Sequence, residues 1–150
     1  MKRYLKSRQP SPYNDHVTYK TSVQIRFHEG DPAGITFFAN AYALAHAAYE
    51  TFVTSIGFSW AEWFENESWA VPIRHSECEH LAPMRPGRSY DVHITVEKLG
   101  ESSVSLKYSF QDGAKSHAEV TLVHTFIDLK KLAKIRVPDL VRERLKPYLA

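Results

Sequence analysis

The segment with the clearest chemical potential is a loop in the first third of the chain, Gly30-Asp31-Pro32-Ala33-Gly34. Pro32 biases Asp31 away from helical geometry, and Gly34 lets the backbone bend or approach a ligand closely. A helix is predicted to begin just after this loop, so the amides between Phe37 and Ala39 should lack partners and could bind an anion or a developing oxyanion. A carboxylate beside such donors is suited to hydrolysis of an ester or thioester. The alternative is that Asp31 only forms a turn or caps the helix, and the motif alone leaves both open.

Two further groups of polar residues could contact a substrate. His46 and Glu50 are four residues apart and therefore share one face of the predicted helix. Polar side chains on a mostly apolar helix must be paired or line a cavity, so a satisfied core pair and a substrate contact are both open. Lys98, Ser102 and Ser103 lie around a predicted turn between strands, where they would meet a phosphate or simply be solvated.

Segments rich in histidine do not predict a metal site. In His75-Ser76-Glu77-Cys78-Glu79-His80 alternate residues of a strand face opposite ways, so the possible ligands are divided and no zinc spacing is matched. His124 is likewise expected on the opposite strand face from His117 and Glu119. No GxGxxG or P-loop motif occurs, and nothing near Cys78 supports a cysteine nucleophile, so we expect neither a cofactor nor a metal.

The elements that position Asp31 are a strand before it and a long helix after it. Apolar and polar residues alternate from Val17 to Phe27, which predicts a half-buried strand. Residues Phe38 to Ile56 suit a helix whose apolar members cover most of its circumference. Such a helix is expected to be buried nearly all round, and Gly57 should end it.

The rest of the chain predicts an antiparallel meander. A short helix is expected around Ser59 to Asn66, with Ser59 as N-cap and Glu62 completing a capping box. A last helix should begin at Pro138. Strands are expected around Val71–Ile73, Tyr90–Glu97, Val104–Phe110 and Ala118–Phe126, with a hairpin turn at Asp112-Gly113. This order predicts an α+β fold in which a curved antiparallel β-sheet wraps around a long central α-helix, with pairing between subunits.

Length, charge and cysteine content limit the alternatives. A chain of 150 residues suits one domain, which we place at 16–150, after a basic, proline-containing tail at 1–15. The formal net charge is only +2, so neither nucleic acid nor a membrane surface is an expected partner. The single cysteine excludes an intramolecular disulfide, and the absence of a signal-peptide core favours a cytoplasmic location.

The segment Arg26–Asn40, RFHEGDPAGITFFAN, resembles the signature of hotdog-fold acyl-CoA thioesterases of the 4-hydroxybenzoyl-CoA thioesterase type. The similarity covers about Val17 to Leu129. It extends through Ala47–Glu50, Val71–Ile73, Pro86-Gly87 and Ser102–Val104. The resemblance implies a hotdog fold, which agrees with the fold class expected from the residues alone.

In that family the aspartate matching Asp31 is the catalytic carboxylate, acting as nucleophile or as general base for water. A backbone amide at the helix start, which matches that of Phe38, holds the thioester oxygen. Taken with the residues discussed above, the expected substrate-binding set is Gly34, His46, Glu50, Pro72, Lys98 and Ser103.

Two departures from the family pattern refine this expectation. Members specific for hydroxybenzoyl groups carry an acidic residue where this chain has His46, and the local sequence Ala45–Glu50 looks closer to 1,4-dihydroxy-2-naphthoyl-CoA hydrolases. Some members have several basic residues at the strand turn, whereas here it is Lys98-Leu99-Gly100-Glu101.

We therefore expect a homodimer or homotetramer that hydrolyses an acyl-CoA, with an aromatic acyl group preferred, to free acid and CoA. The alternatives are a short-chain acyl-CoA or acyl carrier protein thioesterase, and a non-catalytic protein that binds acyl thioesters.

Overall fold

The computed structural model describes residues 17–150, so the predicted tail at 1–15 lies outside the described residues and stays a prediction. The helices are α1 (Asn40–Ser55), α2 (Trp60–Phe64) and α3 (Asp139–Leu145), with 3-10 turns at Phe27–Glu29 and Lys146–Tyr148. The strands are β1 (Tyr19–Gln24), β2 (Trp69–Ala70), β3 (Ile73–His80), β4 (Ser89–Leu99), β5 (Ser103–Asp112), β6 (Lys115–Thr125) and β7 (Ile127–Asp128).

The main sheet has the strand order β1-β4-β5-β6-β3, and every neighbouring pair is antiparallel. Strands β2 and β7 form a separate short antiparallel pair. Alternate residues of β4, β5 and β6 are buried against the helical layer, as a sheet with one covered face requires. This arrangement confirms the predicted α+β class with one long central helix.

Helix α1 is buried on one side rather than all round. Its buried residues recur at three- and four-residue spacing, the pattern of a single stripe facing the sheet. They are Ala41, Leu44, Ala45, Ala48, Tyr49, Phe52 and Val53. On the opposite side Ala43, Ala47 and Thr51 are exposed, so the expectation of burial nearly all round is wrong within one chain. Alanine counts as apolar but has little surface to hide, so its presence did not require a second covering layer.

The predicted first strand ends earlier than its alternation suggested. Strand β1 stops at Gln24, and the chain turns through a 3-10 turn in which the Arg26 amide donates to Oε2 of Glu29 at 2.6 Å. This turn leaves Phe27 94% exposed, so its expected inward position is wrong. A local turn closed by a side chain ends the period-two pattern even where the residue types continue it.

The residues predicted to begin or end helices and to form the hairpin turn do so. The Glu62 amide donates to Oγ of Ser59 at 3.1 Å, and the Ser59 amide donates to Oε2 of Glu62 at 2.7 Å, which completes the capping box of α2. Gly57 follows α1 with φ at +95°, and Gly113 forms the β5–β6 turn with φ at +59°.

Helix α3 closes one end of the fold. Val141 and Leu145 enter the core, while Nη1 of Arg142 donates to the Gly100 carbonyl and Nη1 of Arg144 donates to the Gly57 carbonyl, both at 2.7 Å. The guanidinium of Arg144 also lies 4.3 Å from the centre of a phenyl ring, that of Phe58. Across residues 17–150, no helix combines the length and the apolar character that a membrane span needs.

Candidate active site

The loop that carries Asp31 is closed on itself by main-chain hydrogen bonds. Gly30 and Thr36 form an antiparallel bridge, and within it the Asp31 amide donates to the Ile35 carbonyl at 2.8 Å. The Gly34 amide donates back to the Asp31 carbonyl at 3.0 Å, with Gly34 at a φ of +74° that favours glycine. Asp31 is therefore held on a small rigid loop.

A second segment, between β3 and β4, fixes this loop to the body of the protein. The carbonyl of Met84 accepts hydrogen bonds from both the amide and the hydroxyl of Thr36, at 2.7 and 3.0 Å. Gly30 lies so close to Pro86 that a Cβ at this position would be 2.7 Å from the proline Cγ. Nδ2 of Asn40, the first residue of α1, donates to the Glu29 carbonyl at 2.9 Å and ties the helix start to the same loop.

The carboxylate of Asp31 has one engaged oxygen and one free oxygen. Oδ1 accepts the amide of Ala33 at 2.8 Å, so Asp31 does form the turn that was its alternative role. It does not cap α1, whose N-cap position is Ala39. Within residues 17–150 the second oxygen accepts no hydrogen bond, and the half-buried side chain borders open space. Forming the turn and acting on a substrate are therefore compatible.

Two of the three predicted amide donors at the start of α1 are free. The amide of Phe37 donates to the Glu29 carbonyl at 2.9 Å, so its expected availability is wrong. The amides of Phe38 and Ala39 have no acceptor in the described part of the chain, because the next amide, that of Asn40, begins the helical turns by donating to Phe37. Free amides at the positive end of a helix stabilise negative charge nearby.

Asp31 lies where two clefts meet. On one side is the Phe37 cleft, with a volume of about 390 Å³, lined by Ile35, Phe37, Phe38, Leu81 and Met84 among others. On the other side is the Arg85 cleft, of about 580 Å³, lined by Phe27, His28, Gly34, Arg85 and Pro86 among others. Both clefts are lined mainly by apolar surface, but the second carries the guanidinium of Arg85 and the imidazole of His28, so the two halves of an elongated substrate at Asp31 would meet different polar groups.

The predicted pair His46 and Glu50 lies elsewhere on α1. Nδ1 of His46 is 3.5 Å from Oε1 of Glu50, and both side chains are about two-fifths exposed, so they are not a satisfied core pair. His46 borders a separate depression of about 210 Å³, lined also by Tyr49, Trp63, Phe64 and Trp69. Within one chain this depression is distinct from both clefts at Asp31.

Lys98, Ser103 and Pro72 are at the far end of the sheet from Asp31. Ser103 pairs with Thr125, whose amide donates to the Pro72 carbonyl at 2.9 Å. The Phe37 cleft borders the other end of the sheet, where His80 of β3 pairs with Ala118 of β6 and Ala118 pairs with Phe110 of β5. Seven residues of β5 separate the two ends, roughly 20 Å. One chain therefore brings together Asp31, Gly34 and Phe38 but not the remaining predicted site residues.

A buried polar group lies under α1, at a histidine considered from the sequence only as a metal ligand. His124 is 2% exposed, stacks on the Tyr49 ring at 4.3 Å and has its Nδ1 without a partner in the described residues. Burial lowers the pKa of His124 from 6.5 to about 3, with a smaller contribution from His46. The Tyr49 hydroxyl accepts a hydrogen bond from Nε1 of Trp63 at 2.6 Å, and burial raises the pKa of this tyrosine. His124 keeps the buried face of β6, opposite Glu119 as predicted, whereas His117 is buried too because it lies at the register shift opposite Phe110 and Gln111, so its predicted separation from His124 is wrong.

Sequence reasoning also missed Arg85, which stands beside Asp31. Its only signal was its place in a Pro/Gly loop matched by the family resemblance at Pro86-Gly87. As for a metal, the part of the chain from 17 to 150 contains no group of three histidine, cysteine or acidic side chains placed to hold an ion.

Comparisons with known proteins identify similar sequences and similar folds. A family model described as the thioesterase-like superfamily matches residues 25–145. A 1,4-dihydroxy-2-naphthoyl-CoA hydrolase of Nostoc punctiforme is 30% identical over 122 residues, 81% of each chain. The solved structure of a 1,4-dihydroxy-2-naphthoyl-CoA thioesterase from Synechocystis has a TM-score of 0.79 at 21% identity, covering 87% of this chain and 96% of that one. A gentisyl-coenzyme A thioesterase structure gives a TM-score of 0.75 at 21% identity, covering 85% and 99%.

The structural likeness confirms the predicted hotdog fold, and the family match covers the Asp31 loop, α1 and all but the first strand of the main sheet. The finer assignment to the 4-hydroxybenzoyl-CoA type stays a prediction. The chain belongs to the thioesterase-like superfamily.

Proposed function

We propose that this protein hydrolyses an acyl-CoA thioester to the free acid and CoA, with Asp31 as the catalytic carboxylate. The observation that carries the proposal is that Asp31 and Phe38 line the same cleft, and that within residues 17–150 one oxygen of the Asp31 carboxylate and the Phe38 amide have no hydrogen-bond partner. Membership of a thioesterase superfamily supports it, since its relatives include proteins named as thioester hydrolases.

The free amides lie where negative charge would develop. As the thioester carbonyl carbon becomes tetrahedral, its oxygen gains charge that the Phe38 amide and the positive end of α1 stabilise. The Phe37 cleft excludes part of the solvent there, which strengthens these interactions. Fixed donors need no reorientation when the charge forms, because the Thr36–Met84 bonds already hold the segment in place.

Asp31 can catalyse the hydrolysis by either of two mechanisms. As a nucleophile it attacks the carbonyl carbon, the carbon–sulfur bond breaks, the thiolate takes a proton from water, and water then cleaves the mixed anhydride. As a general base it takes a proton from the attacking water and returns it to the departing sulfur. Either route consumes one water and yields one acid and one CoA, and both need the ionised carboxylate.

An aromatic acyl group is part of this proposal. The relatives that support it are named for dihydroxynaphthoyl and gentisyl thioesters, both of which carry hydroxylated rings. The depression at His46 has the matching chemistry, because Trp63, Phe64 and Trp69 supply ring faces and the His46–Glu50 pair supplies polar atoms. In one chain this depression is separate from Asp31, so we assign His46, Glu50 and Pro72 to the site of a second copy.

A homodimer or homotetramer follows from the same reasoning. Strand β3 is the last strand of the sheet order, and seven of its eight residues are exposed. An unpaired edge of this length is suited to pairing with a second copy. Lys98 and Ser103 would reach a substrate at Asp31 only from another subunit. We place the protein in the cytoplasm, because CoA thioesters are metabolites of that compartment.

Asp31→Asn tests the central assignment. The amide keeps the shape and can still accept the Ala33 amide, but it neither attacks a carbonyl nor takes up a proton. We expect kcat to fall roughly 10²- to 10⁴-fold across aromatic and short-chain acyl-CoAs, with unchanged acyl-CoA binding and thermal stability. Thiol release measures the rate, and Asp112→Asn in the exposed β5–β6 hairpin is the matched control.

Near-normal turnover by the Asp31→Asn variant would show that Asp31 is not the catalytic group. A wild-type protein that binds acyl-CoAs without releasing any thiol would favour the non-catalytic binder. Faster release from acyl carrier protein than from CoA at the same acyl group would assign the other carrier.

A further inference from the structure

Three arginines near Asp31 have no acidic partner. Arg136 forms ion pairs, and Arg142 and Arg144 each donate to a carbonyl. By contrast Arg26, Arg85 and Arg88 are exposed and, like Arg74 on strand β3, make no ion pair with any residue in the range 17–150. Three guanidiniums close together, with no ion pair among the described residues, form a surface that attracts an anion.

Main-chain hydrogen bonds bring the backbones of these three arginines close together, and Arg85 itself lines the cleft. The Ile25 amide donates to the Arg88 carbonyl at 2.9 Å, which places the neighbouring Arg26 beside Arg88. The Arg88 amide donates to the Arg85 carbonyl at 3.2 Å, and the Arg85 amide donates to the Tyr90 hydroxyl at 3.0 Å. The backbone is thus fixed while the Arg85 side chain lines the cleft that ends at Asp31.

The acidic groups nearby, Glu29 and Asp31, offset only part of the charge of the three arginines. Oε2 of Glu29 accepts the backbone amide of Arg26, so it is turned toward the main chain. Asp31 lies at the junction of the clefts and repels a second anion, which favours an anion at the arginine rim over one at the floor. His28 lines the same cleft and adds a further donor.

An aromatic surface completes the cluster. Phe27 lines the Arg85 cleft with 94% of its surface exposed, the largest exposed fraction among the large apolar side chains of the described chain. Such a phenyl ring beside arginines suits a ligand that joins a flat base to phosphates, because bases stack on aromatic rings and guanidiniums bind phosphate in a bidentate way.

We propose that the Arg85 cleft receives the CoA half of the substrate, with Arg85, Arg88 and Arg26 binding its phosphates and Phe27 stacking on its adenine. This inference rests on the proposed thioesterase function and adds the recognition of the carrier. The pantetheine arm separates the thioester from the diphosphate, which agrees with a reacting carbonyl at Asp31 and cations at the rim. The acyl half then extends the other way, through the Phe37 cleft toward the aromatic depression that a second copy would supply.

Substrates that differ only in the carrier test this proposal. We compare one aromatic acyl group on CoA with the same group on pantetheine, which has no phosphates and no adenine. Arg85→Gln should raise KM for the CoA thioester roughly five- to twenty-fold, with kcat little changed and the pantetheine thioester unaffected. Arg85→Lys should recover part of the loss, and added salt should shrink the difference.

Free CoA binding gives a readout that needs no turnover. Calorimetry with CoA should show the same five- to twenty-fold weakening in Arg85→Gln. Lys20→Gln on β1 removes one exposed charge and should change neither measurement. Equal effects of Arg85→Gln on both carriers, or no effect on either, would overturn the proposal.

If Lys98→Gln, rather than Arg85→Gln, weakened binding of the CoA thioester and not of the pantetheine thioester, the phosphates would bind at the β4–β5 turn. That result would also overturn the proposal. If wild-type protein binds CoA through Arg85 but hydrolyses nothing, the proposed function fails while the carrier site stands.

Discussion

Substituting Gly30 by alanine tests whether the position of the Asp31 loop controls activity. Gly30 has φ at −86°, a value that any residue adopts, so its backbone does not require glycine. Space is the constraint, because the added Cβ would lie 2.7 Å from Cγ of Pro86, whereas ordinary contacts begin at 3.4 Å. The loop or the proline must therefore move by about 0.3 Å to reach the shortest contact that a Cβ makes, 3.0 Å, and by about 0.7 Å to reach an ordinary one.

The residue that moves with Gly30 is its neighbour Asp31. Overpacking of this kind costs about 1–3 kcal/mol of stability, and displacing a reacting group by about 1 Å costs roughly 100-fold in rate. We expect Gly30→Ala to lower kcat/KM roughly 100-fold while the protein stays folded, as measured by thiol release and by thermal unfolding.

Removing the obstacle provides the control. Pro86→Ala deletes the Cγ that the new Cβ would meet, so the double variant should regain most of the lost rate, and Pro86→Ala alone should show how much the proline itself contributes. Full activity in Gly30→Ala, or a double variant as slow as the single one, would refute the argument from close packing.

Two further predictions concern the core and the assembly. Folding lowers the pKa of His124 from 6.5 to about 3. Between these two pH values His124 is protonated in the unfolded chain but neutral in the folded one, so the free energy of unfolding should fall as the pH drops from 6.5 to about 3. The slope should approach about 1.4 kcal/mol per pH unit in urea unfolding. This slope should become smaller in His124→Gln but not in His75→Gln. An unchanged slope in His124→Gln would show that His124 does not cause the pH dependence. Light scattering should give a mass at least twice the 17.2 kDa of one chain, and a monomer at assay concentrations would exclude a site shared between copies.

Local features of the fold could be predicted because local chemistry determines them. The capping box of Ser59 and Glu62, the glycine after α1 and the Asp112-Gly113 turn each depend on a few adjacent residues. The exposure of Ala43 and Ala47 could not be predicted, since it depends on how far the sheet reaches around the helix. The prediction that Phe27 would face inward was wrong for a related reason. A 3-10 turn ends the strand, although the residue types continue its alternation.

The site was predictable only where it is continuous in sequence. Asp31, Gly34 and Phe38 lie within eight residues, and one motif contains them all. Arg85 reaches the site through a hydrogen bond between Thr36 and Met84, which are 48 positions apart. Lys98 and Ser103 were grouped with Asp31 by the family pattern, yet the strand order places them at the far end of the same chain. Strand order is a property of the whole sheet that no short motif encodes.

The meeting of two clefts at Asp31 has a consequence for the kinetics of product release. With the acyl group in one cleft and the carrier in the other, as proposed above, hydrolysis would cut the substrate at Asp31, where the two clefts meet. Each product would then have its own exit, and neither would have to wait for the other to leave. Free acid and free CoA would occupy the enzyme together, so each would slow the enzyme without preventing the other from binding. The order of departure would follow the affinity of each half for its own cleft.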